Sequence, residues 1–170
     1  AGNTLRADGA WGGPGDALKL ALDAPRLDAL GHGLGGRAGA NGQVGGTLAV
    51  PAGELQFFGE ALRLPGKVRL LGVNGTARLE AGADGPFQLS VGLTGLGPLG
   101  TDSDGVALPD WLASARVAAS GTRARHELAL ALQMPARDEG ADSLVLDLQG
   151  GLEQVTQGQP GLSWVGDLKT

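Results

Sequence analysis

With 42% hydrophobic residues, 32 glycines and 9 prolines, this 170-residue chain is long enough to bury a core as one domain and too apolar to be disordered. A net charge of −5 with no basic stripe argues against nucleic acid as a partner, and the absence of cysteine excludes disulfides and thiolate metal sites. No apolar run reaches the roughly 18 residues of a membrane-spanning helix, and residues 1–10 lack the basic start and apolar centre of a signal peptide.

Residues 4–11 are predicted as a short strand that ends at the turn Gly12-Gly13-Pro14-Gly15. Residues 17–24 alternate, with Leu18, Leu20 and Leu22 opposite Lys19, Ala21 and Asp23, and Pro25 ends the run. A connector at 26–30 leads into the glycine-dense segment 31–36. From 37 to 50 the even positions, Val44 and Leu48 among them, form a small-to-apolar face, as one long strand or two joined near Gly45-Gly46. Pro51-Ala52-Gly53 reads as the next turn, with Leu55 and Phe57 then sharing a face, and Leu62 and Leu64 precede the turn Pro65-Gly66.

Residues 67–81 can be read as one strand, in which Leu71, Val73, Gly75, Ala77 and Leu79 share a face, or as a hairpin on Asn74-Gly75. The single strand is preferred because no other turn residue flanks Asn-Gly. Phe87, Leu89, Val91 and Leu93 mark the next strand, and 96–109 is the longest irregular stretch. Residues 111–120 suit a short helix capped by Asp110 or a strand with Ala115, Val117 and Ala119 on one face; the strand is preferred.

The last third alternates strictly. Leu128, Leu130, Leu132 and Met134 share a face with His126, and Leu144, Leu146 and Leu148 repeat the pattern, as do Leu162, Trp164, Gly166 and Leu168. Successive side chains of a strand leave opposite sides of the pleat, so a period of two means one apolar face. The expectation is an all-β, elongated antiparallel sheet of about ten to twelve strands with no significant helix, forming a single segment over 1–170. In-strand glycines such as Gly42, Gly46, Gly75 and Gly92 suggest strong curvature. With no amphipathic helix to cover the apolar face, the sheet must close on itself or bind something apolar.

Motifs with other chemistry are weak. Gly31-His32-Gly33-Leu34-Gly35-Gly36 has dinucleotide-binding spacing but opens no helix, and reads as a connector. Asp102-Ser103-Asp104-Gly105 resembles the start of a calcium loop, but Val106 stands where an oxygen ligand is needed. His32 and His126 have no metal-ligand spacing, and no nucleophile elbow or carboxylate pair is present. The chain is read as non-enzymatic, with no cofactor and no metal. Trp11, Trp111 and Trp164 suit lipid contact and ordinary strand-end packing equally.

The segments LRADGAWGGPGDALKLALDAPRLDALGHGLGGRAGANGQVGGTLAVP, EALRLPG, GTRARHELALALQ, LVLDLQGGL and LSWVGDL resemble the TamB family of AsmA-like proteins, the inner-membrane component of the bacterial translocation and assembly module. The fixed points are Trp11-Gly12, Gly35-Gly36-Arg37, Gly46-Thr47-Leu48, Gly121-Thr122, His126, and Trp164 with Gly166. The resemblance implies a β-taco, a long antiparallel sheet folded into a U-shaped trough with an apolar interior. It also implies an interior section of a periplasmic protein, held at the inner membrane by a segment outside this chain, that works with the outer-membrane barrel TamA and carries phospholipid. The implied groove would draw on Leu18, Leu20, Leu22, Val44, Leu48, Leu62, Leu64, Leu79, Phe87, Leu89, Val91, Leu128, Leu130, Leu132, Leu144, Leu146, Leu148 and Trp164, with the inward parity open at each strand. The other role considered is a chaperone whose sheet edges guide outer-membrane strands.

Overall fold

The computed structural model of the chain describes residues 2–136, 140, 142–155 and 161–170, with backbone alone for 153–155 and 161–164. Its strands are β1 (Thr4–Gly9), β2 (Ala17–Ala24), β3 (Gly35–Gly46), β4 (Pro51–Leu64), β5 (Val68–Leu79), β6 (Phe87–Pro98), β7 (Leu112–Gly121), β8 (His126–Gln133), β9 (Ser143–Val155) and β10 (Gly161–Lys169). All ten lie in one antiparallel sheet in chain order, each hydrogen-bonded to its sequence neighbours. Among the described residues the helical structure is a single 3₁₀ turn at Leu27–Leu30, which packs on β3. Where the resemblance implies a U-shaped trough, the sheet here is open and uncurled.

Several boundaries differ from the sequence reading for local reasons. Pro51-Ala52-Gly53 is not a turn but the start of β4, where Pro51 pairs with Gly46. A proline is tolerated as the first residue of a strand because its missing N–H interrupts little there. The turn lies instead at residues 47–50, where the Thr47 N–H donates to the Val50 carbonyl at 3.2 Å and the Val50 N–H to Thr47 Oγ1 at 3.1 Å. Asn74 sits mid-strand, paired with Phe58 and Gly92, so residues 67–81 hold one strand and no hairpin. The expected strand at 111–120 is β7, which begins one residue later at Leu112, and β6 runs on to Pro98, so the irregular stretch lies at 99–111.

The in-strand glycines serve close approach instead of strong curvature. The Phe58 ring lies across Gly39, and a Cβ at Gly75 would stand 2.5 Å from Phe57 Cζ. A side chain from the next strand thereby covers the bare backbone, which restores the apolar contact that glycine forfeits. Among the described residues no second layer packs on the sheet to form a core. Among the described hydrophobic residues only Ala24, Leu70 and Ala115 are buried.

Candidate functional site: a continuous apolar sheet face

Residues opposite one another in a ladder project from the same side of the sheet, so the register carries the face of one strand to the next. Leu20 pairs with Gly42, Gly42 with Leu55, Leu55 with Ala77, Ala77 with Leu89, Leu89 with Ala119, Ala119 with Leu128 and Leu128 with Leu148. The adjacent row of that face reads Leu22, Ala40, Phe57, Gly75, Val91, Val117, Leu130 and Leu146. A third row reads Ala24, Ala38, Gly59, Val73, Leu93, Ala115, Leu132 and Leu144. The opposite face carries the polar set, including Lys19, Gln43, Glu54, Arg78, Gln88, Ser120, Glu127 and Gln149 in a single row.

The apolar face gains one more row through a switch of parity. Simple alternation from Gly59 would send Leu62 to the polar side. Leu62 instead folds over Gly59, with its Cδ1 2.7 Å from where a Cβ would stand, and pairs with Leu70. Ala61, at φ 49°, absorbs the change, and Gly95 at φ 64° lies at the same level of β6. The row Leu62, Leu70, Leu96 and Leu112 results, with Leu70 9% exposed. Leu71, expected to share a face with Val73, Gly75, Ala77 and Leu79, instead lies over Gly95 and is 53% exposed.

Of the expected groove residues, Leu18, Leu20, Leu22, Val44, Leu79, Phe87, Leu89, Val91, Leu128, Leu130, Leu132, Leu144, Leu146 and Leu148 share this one face. Leu62 and Leu64 join it beyond the parity switch. Leu48 does not, because it stands in the turn between β3 and β4 and is 73% exposed. Trp164 belongs to β10, and its side chain lies outside the described residues. Leu70, Leu96 and Leu112 were hidden from simple alternation, and only cross-strand pairing reveals them.

Most of these side chains are half-buried by their ladder neighbours and open on the outer side. Leu20, Val44, Leu55 and Leu79 wall a depression of about 340 Å³ in which Gly42 and Gly53 contribute no side chain. His126 ends one row beside Phe87, with ring centroids 6.3 Å apart and its Nδ1 3.3 Å from the Thr122 carbonyl. Asp102 Oδ1 accepts the backbone N–H groups of Asp104 and Val106, both at 2.9 Å, so this carboxylate shapes its own turn. Among the described residues no three His, Asp or Glu side chains gather where they could hold a metal ion.

The other half-buried feature is an anchor for the 99–111 stretch. Arg69 Nη2 lies 2.9 Å from Asp110 Oδ1 and donates to the Leu108 carbonyl at 2.9 Å. Trp111, beyond it, is 54% exposed. No family model, curated protein or solved structure matches the chain.

Proposed function

We propose that the chain is a non-enzymatic carrier section whose apolar face holds the acyl chains of phospholipids while the headgroups stay in water. As in the TamB-like proteins it resembles, it would form part of a bridge between inner and outer membranes in the periplasm, working with a TamA-like barrel. That role supports outer-membrane lipid homeostasis and protein assembly. The supporting observation is the agreement of faces across seven ladders: leucines and valines meet leucines, valines, alanines, glycines and Phe57 from β2 to β9, with no layer above them among the described residues. Burial of a methylene contributes about 0.8 kcal/mol, so ten methylenes on this face would gain roughly 8 kcal/mol before ordering costs, without any specific polar contact.

A photocrosslinking residue at Leu130 tests this reading against one at Ala129. Lipid adducts at 130 and none at 129 are expected; equal labelling at both sites would end the proposal. The second reading, strand guidance by edge pairing, draws on β1, every residue of which is exposed and which pairs on one side only. It predicts polypeptide adducts at Arg6 in place of lipid at Leu130.

A further inference from the structure

The polar face holds one feature that acyl-chain carriage does not use. Phe58 projects from it, on the side opposite Phe57, and remains 41% exposed although its ring covers Gly39. Around it Asn41, Gln56, Asn74, Thr76 and Ser90 border a shallow depression of about 310 Å³. All five are exposed, and none of their side chains hydrogen-bonds to another described residue. Elsewhere on this face the polar groups engage one another: Arg37 Nε bonds Glu60 at 2.9 Å, Gln149 Nε2 bonds Glu127 at 3.1 Å, and Ser114 bonds Gln133 at 3.2 Å.

We propose that this strip is a binding site for a neutral, β-linked glycan carrying acetamido groups. An aromatic face exposed among planar amides is what a pyranose ring requires. The axial C–H bonds of the sugar form an apolar patch that stacks on the ring, while its equatorial hydroxyls lie in the plane of flanking donors and acceptors. Carboxamides both donate and accept, so Asn41, Gln56 and Asn74 complement an acetamido group in the same way. The strip is uncharged, which matches a neutral ligand and leaves no buried ion to desolvate.

Its repeat fits as well. Asn41, Gln56, Thr76 and Ser90 are successive ladder partners on β3, β4, β5 and β6. Three strand spacings at ~4.8 Å place them along about 14 Å. An extended β-linked chain advances by about one strand spacing per sugar, so it would meet one polar side chain per residue while a single ring rests on Phe58.

The test uses the whole chain titrated with chitohexaose, followed by calorimetry and amide chemical shifts. Saturable binding with a Kd of about 1 mM or tighter is expected. The shifts should fall on β3, β4, β5 and β6. Phe58→Leu keeps an apolar cover on Gly39 but removes the flat π face, and it should weaken binding at least about tenfold with an unchanged unfolding midpoint. Gln56→Ala should weaken binding too, and Leu48→Ser, in the exposed turn between β3 and β4, should not. Absence of saturable binding, full affinity in Phe58→Leu, or equal affinity for polygalacturonate would each overturn the assignment.

Discussion

Placing the same charge on two neighbouring residues of β8 separates a working apolar face from an incidental one. Leu130 pairs with Val117 and Leu146, whereas Ala129, next to it, pairs with Ala118 and Asp147 on the polar side. Full burial of a leucine is worth about 1.5–3 kcal/mol, and Leu130 is half-buried in the bare sheet. Leu130→Lys therefore costs about 1 kcal/mol of folding stability and a further ~1 kcal/mol when an acyl chain would cover the site. Holding an ammonium under that chain adds to the loss, so affinity for a fluorescent fatty acid should fall by about tenfold or more. Ala129→Lys gains a carboxylate across the ladder and should change stability and affinity by less than about 0.5 kcal/mol. Displacement titrations on both variants, corrected by urea denaturation, give the comparison. Equal losses, or undiminished uptake by Leu130→Lys, would refute the assignment of acyl chains to this face.

The parity switch makes Leu70→Ala cost about 2–3 kcal/mol in urea denaturation and Leu71→Ala less than about 0.5 kcal/mol; the reverse order would mean that β5 alternates without a switch. Gly75→Ala should destabilise by at least about 1 kcal/mol, because the new Cβ would also stand 2.7 Å from the Ser90 carbonyl, which cannot turn away. Gly39→Ala should cost less, since the atoms in its way all belong to the Phe58 ring; calorimetric melting of the two variants ranks them. Arg69→Met leaves Asp110 half-buried without its cation and should speed proteolysis within 99–111, while the double variant with Asp110→Asn should recover part of the loss.

Much of the sheet was legible because alternation is a local property. Leu18, Leu20 and Leu22 declare one face of β2 from within eight residues, and Leu128, Leu130 and Leu132 do so for β8. What alternation cannot provide is the register between strands, which decides that Leu20 and Leu128 share a row six ladders apart. Nor does it see a residue that steps out of phase: Ala61 carries no glycine or proline signal, yet its φ of 49° turns Leu62 to the apolar side, where it pairs with Leu70. Leu48 failed for the opposite reason. The alternation of β3 does not extend past its last residue, Gly46, whose φ of 74° leads the chain into the turn. Phe58 carries no signal of its own in the sequence, because alternation assigns Phe57 to the apolar face and leaves Phe58 a single aromatic on the polar parity.

Strictly sequential pairing has a consequence for how such a chain could change length. Each hairpin touches only the one before and the one after it, so stability accumulates as a sum of unit and junction terms, as in solenoid arrays. Folding can begin at any tight turn and zip outward, with short loop closures throughout. Excising or duplicating two consecutive strands would preserve the antiparallel order and the phase of both faces at the new junction. Evolution, or an engineer, could lengthen or shorten the molecule in steps of about 10 Å without redesigning a core.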